Sequence, residues 1–208
     1  MPYFGKEPNT SATSKIGAGV AEDIKLVFDG NAQDFHIGLD DTADDLVIGL
    51  GSTLGTTTHM SFDENGVISL PLQPSCSVHL SGAQEIAHAT ETKITWQTEL
   101  YDLNNDFDNS TNYRFTAPVD GIYLCTAMFS MNMPDEEYLA MNIVKNSTDM
   151  AVNNNASSVA NHTTTEMTYI LKLDADDFVF VEAYQVQGAA ENITANAFYS
   201  SFQVHKLA

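Results

Sequence analysis

Apolar residues in this chain come in short runs, each cut by Gly, Pro, Asn or Asp, and no stretch holds the 3.6-residue apolar period of an amphipathic helix. That punctuation restricts the chain to an all-β fold. In the first half the runs are Ile24 to Phe28, Phe35 to Leu39, Leu46 to Leu50, Met60 to Phe62 and Val67 to Leu72. The breaks between them are Asp29-Gly30-Asn31, Asp40-Asp41-Thr42, Gly51-Ser52 and Asp63-Glu64-Asn65-Gly66. The last carries Asn-Gly, which accepts the positive φ angles of a tight primed hairpin turn. These five strands bury little apolar area, and with no disulfide or metal pattern among them, oligomerisation is the expected source of their stability.

Gln73-Pro74-Ser75 punctuates the chain, and from Val78 onward the strands lengthen and become aromatic. Ile94, Trp96 and Leu100 fall on one side of a period-two pattern opposite Thr95, Gln97 and Glu99, predicting one half-buried strand. Ile122 to Phe129 and much of Tyr138 to Val144 are apolar on both faces. With Met167 to Leu173, Phe178 to Val181 and Phe198 to Val204 they make at least six strands, the pattern of an antiparallel sandwich or jelly roll. A sandwich strand needs only one apolar face, so two-faced strands call for a further partner, which a symmetric oligomer supplies.

Charge and composition exclude several functions. The 208 residues contain 28 Asp and Glu against 8 Lys and Arg, a formal charge of −20 that repels a polyphosphate backbone and rules out non-specific nucleic-acid binding. No apolar run approaches the roughly 18–20 residues that span a bilayer, and the opening Met1 to Pro8 has neither part of a signal peptide, so a soluble chain without a cleaved export signal is expected. Cys76 and Cys125 are too few for a disulfide framework and read as buried free thiols. The sequons at Asn9, Asn109, Asn146, Asn161 and Asn192 then read as turn chemistry.

Residues 1 to about 21 carry Pro2, Pro8, Gly17 and Gly19 around a Thr/Ser stretch, and read as an extended arm. Tyr3 and Phe4 are its bulky anchors. Gly49-Leu50-Gly51-Ser52-Thr53-Leu54-Gly55 is a near miss for a dinucleotide loop, with its third Gly late and no helix pattern behind it. His36, His59, His79, His88, His162 and His205 show no ligand spacing. Asp102, Asn104, Asp106 and Asp108 imitate the opening of a calcium loop, but Phe107 replaces the required Gly and Tyr113 the bidentate Glu. A solvated Asx-rich turn is the default reading, with calcium as its alternative. No catalytic nucleophile, cofactor or metal motif emerges, so a non-enzymatic chain is expected.

The stretch Tyr113-Arg114-Phe115-Thr116-Ala117-Pro118-Val119-Asp120-Gly121-Ile122-Tyr123 resembles the lead-in to a central strand of the globular head shared by complement-type and tumour-necrosis-factor-like proteins. Trp96 to Asn112 before it, Leu171 to Val179 and Asn196 to Phe202 after it are similar to the family's neighbouring pieces in order and spacing. Ala175-Asp176-Asp177 departs from the pattern, where the family often has Gly. The resemblance covers about residues 78–208 and implies a ten-strand jelly roll assembling as a compact homotrimer. The opening Tyr3 to Pro8, Phe28-Asp29-Gly30-Asn31 and the layout resemble fibre and spike proteins of tailed bacteriophages.

Together these resemblances imply three regions: an arm (1–21) anchoring on other virion proteins through Tyr3, Phe4 and Pro8, a short-strand stalk (22–77) and a jelly-roll tip (78–208). The expected function is host attachment from the virion, the tip contacting a host-surface glycan or protein, without nucleic acid or membrane insertion. The alternative is a capsid decoration or cement protein without receptor binding.

Overall fold

The computed structural model of the protein describes residues 15–134, 136–156 and 161–208. The anchor residues expected from sequence, Tyr3, Phe4 and Pro8, lie outside the described residues. The chain divides into two units between Leu72 and Gln73.

The first unit is a five-stranded antiparallel meander of β1 (Ile24–Phe28), β2 (Phe35–Asp40), β3 (Asp45–Leu50), β4 (Thr58–Phe62) and β5 (Ile68–Ser69). Each strand follows an expected run, although the last is cut to two residues ahead of Pro71, which has no N–H for a ladder. On one face the connection from Gly51 to Thr57 folds over the sheet and buries Leu54 with His36 and Val47. The His36 ring meets the Gly51 carbonyl at 2.9 Å through Nδ1. Gly49 is required here, since a Cβ would stand 2.6 Å from the Thr57 carbonyl oxygen and 2.7 Å from the His36 ring. The Gly-rich run Gly49 to Gly55 is thus a strand end and a packing loop.

The Asp63–Gly66 turn differs from the primed hairpin expected of Asn65-Gly66. Only Gly66 has positive φ (81°), its N–H donates to the Asp63 carbonyl, and the Asp63 N–H donates to Val67. That pattern is a regular turn closed by a glycine bulge. The Asp63 carboxylate fixes it by accepting the Asn65 and Val67 N–H groups at 2.9 and 2.7 Å.

The second unit is a two-sheet antiparallel jelly roll of β6 (Ser75–His79), β7 (Gln84–Ile86), β8 (Thr92–Lys93), β9 (Thr98–Asp102), β10 (Phe107–Asp108), β11 (Arg114–Thr116), β12 (Gly121–Met133), β13 (Tyr138–Lys145), β14 (Thr148–Ala156), β15 (Asn161–Leu173), β16 (Phe178–Val186), β17 (Glu191–Ile193) and β18 (Ser201–Lys206). One sheet runs β10-β11-β16-β13-β14 with β8 on β16; the other runs β7-β17-β12-β18-β6-β9 with β15 on β12. Between them lie the fully buried Trp96, Phe115, Tyr123, Phe129 and Phe202. Trp96 stacks on Phe202 at 6.4 Å and Phe115 meets Tyr123 at 5.6 Å, aromatic pairs worth about 0.5–1.5 kcal/mol each beyond their buried area.

The lead-in to β12 shows why its sequence is so particular. The Tyr123 hydroxyl donates to the Val119 carbonyl (2.8 Å), and the Asp120 carboxylate accepts the Ala175 N–H (2.8 Å), tying this turn to the one before β16. In that second turn Asp176 has φ +69°, a left-handed conformation that glycine adopts without strain.

Ile94 to Leu100 does not form the single strand expected. The chain leaves one sheet after Lys93 and joins the other at Thr98, so Ile94 and Trp96 are buried as it crosses the core. Leu100 is then the extra residue of a bulge, because Val78 pairs with Glu99 and Ser77 with Tyr101. It points away from the core and is 58% exposed.

Candidate binding and assembly surfaces

The two sheets of the jelly roll turn chemically different outer faces to solvent. Inward alternation along β12 places Tyr123, Cys125, Ala127 and Phe129 in the core, which leaves Ile122, Leu124 and Met128 half-buried on the outside. Leu124 is flanked in register by Ile170, 57% exposed, and by His205. His205 is held by the Ser75 hydroxyl (Oγ to Nδ1, 2.7 Å), with the Tyr101 ring 6.3 Å away. Thr126, Met128, Glu166, Thr168, Ser201 and Gln203 line a depression of about 410 Å³ beside this row. An uncapped row of large apolar residues within a polar surround is the composition of an assembly face.

Strand β13 does not need the same help, contrary to the expectation from its two-faced pattern. Its outward residues Ala140, Asn142 and Val144 are buried within the single chain, because they are short and stand between Val152 and Asn154 on β14 and Phe180, Glu182 and Tyr184 on β16. Here the outer face carries a groove of about 190 Å³. Its walls are the Tyr138 and Tyr184 rings, edge to face at 5.9 Å, with the Tyr138 hydroxyl donating to Asn154 Oδ1 at 2.6 Å. Asn142, 5% exposed, lines it with a buried Oδ1 that has no partner among the described residues. Aromatic walls, one unsatisfied amide oxygen and the nearby Glu91 and Asp149 carboxylates suit a neutral hydroxyl-rich ligand. The sequence analysis missed these residues; the signal was Asn142, a lone polar residue inside the apolar run Leu139 to Val144.

Further along the same face, Lys93 Nζ sits 3.8 Å above the Phe180 ring and the Arg114 guanidinium 4.0 Å above Phe178, the two rings stacking at 6.2 Å. Partial burial lowers the Lys93 pKa, and Arg114 beside it adds to the effect against the opposing pull of Glu182.

The Asp102–Asp108 segment folds as an Asx-rich turn. Asp102 accepts the Asp106 and Phe107 N–H groups at 3.1 and 2.8 Å. Asp108 accepts those of Ser110, Thr111 and Asn112, hydrogen bonds that hold its carboxyl well below the usual carboxylate range. Asp106 differs: burial, and then the neighbouring Asp102, push it up to about 6, and its Oδ2 is buried without a partner among the described residues. Asn104 is half-buried in the same turn. Among the described residues no group of three or more His, Cys, Asp or Glu side chains is placed to hold a metal. The described histidines are dispersed: His36 lies in the first unit, His88 accepts the Gly188 N–H at 3.0 Å, and His162 stacks on Tyr199.

Cys76 and Cys125 are free and fully buried. Each pairs in register with Val204, one on either side, so they stand two strands or about 9–10 Å apart, too far for a disulfide. Burial raises both thiols, Cys125 to about 12.

Two antiparallel sheets in this order, with β12 paired to both β15 and β18, define a jelly-roll domain. The sequence profile of the C1q domain family matches residues 77–204, and the chain belongs to that family. Among solved structures, the globular domain of zebrafish complement 1qA protein aligns at 18% identity over 65% of this chain and 98% of that one, with a TM-score of 0.50. Murine APRIL at pH 5.0 aligns at 9% identity (65% and 99%, TM-score 0.53), and the Eiger TNF of S. frugiperda at 11% (65% and 93%, TM-score 0.53). At these identities the likeness is one of fold. No curated protein matches the chain.

Proposed function

We propose that the chain is a non-enzymatic, homotrimeric attachment protein of a tailed-bacteriophage virion, a short fibre or spike. The arm of residues 1–21 docks on other virion proteins, with Tyr3, Phe4 and Pro8 as its anchors, and the tip contacts a glycan or protein of the host surface. The observation that carries this reading is the division of labour between the two outer faces of the jelly roll. The β12 face presents Ile122, Leu124, Met128 and Ile170, which copies of the chain cover on assembly. The β13 face keeps a groove whose Asn142 carbonyl oxygen awaits a donor. Placing three grooves on one trimer, and many trimers on one particle, multiplies a weak single contact into avidity. The chain's net charge of −20 keeps particles apart in solution.

The test is adsorption. Purified full chain should compete with particles for the host surface, and Tyr184→Ala or Asn142→Ala should lose that competition while keeping the fluorescence of the buried Trp96. Unchanged adsorption of particles lacking residues 78–208 would refute the receptor role; leaking or heat-sensitive particles that still adsorb would establish the decoration alternative.

A further inference from the structure

The β1–β5 sheet lies outside the C1q match, and among the described residues of its unit no second sheet covers one of its faces, which Ile16 and Gly17 reach beside Ile24. Read across the strands, Ile24, Leu39, Leu46, Phe62 and Ile68 stand in one in-register row. Leu26, Ile37, Ile48 and Met60 form the next, and Phe28, Phe35 and Leu50 a third. All twelve positions are large and apolar, on a chain that carries 36 charged Asp, Glu, Lys and Arg residues. The opposite face holds Lys25, His36, Gly38, Val47 and Gly49 and is where the Gly51–Thr57 connection packs.

None of the twelve is fully buried, and six of them (Leu26, Phe28, Phe35, Leu39, Leu46 and Ile68) are between 37% and 61% exposed. At ordinary large side-chain areas of roughly 150–250 Å² this leaves on the order of 500–800 Å² of contiguous apolar surface. A soluble monomer rarely shows so much, and it approaches the roughly 800 Å² that each partner contributes to a stable protein interface.

We infer that this face is a self-association surface, and that three copies of the β1–β5 sheet close on one another as a three-sided apolar prism. The inference rests on the trimeric reading above. The occupant is the chain itself, for two reasons. The face offers no charge or hydrogen-bonding side chain by which a foreign partner would be selected, so it can be covered without desolvating a polar group. Five residues separate Ser69, the end of β5, from Ser75, the start of β6, so a trimeric tip tethers three copies of the sheet at high effective concentration. The dimensions also close: five strands about 4.8 Å apart make a side about 24 Å wide, and three such sides leave about 7 Å from axis to sheet, a space that Leu, Ile, Met and Phe side chains fill.

The test uses the full chain carrying Ile48→Cys, at the middle of the central strand, since the two native thiols are fully buried. The mass is read by light scattering, and the new thiol by maleimide labelling and by mild oxidation. A trimer in which labelling is slowed at least about tenfold relative to the urea-unfolded chain, and in which oxidation links two chains of every three, is the expected result. A trimer with a freely labelled, unlinked thiol overturns the prism while leaving the trimeric tip intact. Complete pairwise linkage overturns the threefold arrangement in favour of a two-sheet sandwich. A monomer with a free thiol overturns the trimeric reading and the prism with it, and a monomer with a protected thiol shows the face covered by the chain's own residues, which also overturns the prism. Leu39→Cys, in another row of the same face, repeats the measurement should Ile48→Cys fail to fold.

Discussion

Replacing Asp106 by Asn should stabilise the tip, and only above a defined pH. Burial and the adjacent Asp102 raise its folded-state pKa from 3.8 to about 6. In the unfolded chain Asp106 ionises near 3.8, so between 3.8 and 6 the folded state binds more protons and stability falls as pH rises. Below pH 3.8 both states are protonated and the carboxyl has no cost; above pH 6 the destabilisation is complete. Raising the carboxyl from 3.8 to about 6 would cost roughly 3 kcal/mol, but the side chain is only partly buried, and solvent screening reduces this to about 1 kcal/mol. For a unit of this size that is roughly 3–5 °C in melting temperature. Trp96 is the only tryptophan of the chain and lies in the tip core, so its fluorescence follows this unit alone. Melting curves of the two proteins should coincide near pH 4 and separate by that amount at pH 7.5, the Asp106→Asn chain melting higher. A difference that does not change with pH, or a less stable Asp106→Asn chain, would refute the desolvation argument. If the loss appeared only with added calcium and vanished with a chelator, the turn would be a calcium site.

Other outcomes follow from the same geometry. Leu124→Asp puts a charge into the row between Ile170 and His205 and should dissociate the tip contact, read as a fall in mass toward the 22.7 kDa chain with Trp96 still buried. Gly49→Ala drives a methyl group against Thr57 and His36 and should cost about 1–3 kcal/mol, seen as faster proteolysis in the Gly51–Thr57 connection. Cys76 and Cys125 should resist thiol reagents at pH 8 until the tip unfolds, then react together. Lys145, across a 2.6 Å ion pair, and then the Asp174 N–H and the Asn146 amide hold the Asp177 carboxyl down to about 2, so Lys145→Met, which removes the largest of these, should weaken the tip at neutral pH by an amount that shrinks as pH falls through the 3.8–2 range.

Much of this architecture was legible because strand runs and turn residues obey local rules. The meander of the first unit follows its Asp, Asn and Gly breaks nearly residue by residue, and the Pro118-Val119-Asp120-Gly121 lead-in announced β12. What failed was non-local. Strict alternation from Ile94 puts Leu100 on the same side as Ile94 and Trp96 because it assumes one unbroken strand, and neither the sheet crossing after Lys93 nor the bulge opposite Ser77 and Val78 has a local signature. The primed turn failed because Asp63 captures two backbone N–H groups and fixes a different loop. The two-faced apolar pattern of β13 points to an oligomeric partner in the sequence because sequence cannot show that Val152, Phe180 and Tyr184 already flank its short residues. The Tyr138, Asn142 and Tyr184 groove was hidden for the same reason: its members converge from two strands 42 residues apart at Asn142 and Tyr184. The all-apolar rows of β1–β5 appear only once the register is known.

The central claim, that the chain works as a trimer, is tested most directly by the absolute mass of the full chain in solution, by light scattering on a sizing column. The account predicts three times 22.7 kDa, about 68 kDa, unchanged on dilution through the micromolar range. A mass of 22.7 kDa would contradict it and leave the Leu124 row and the β1–β5 face without the partner assigned to them.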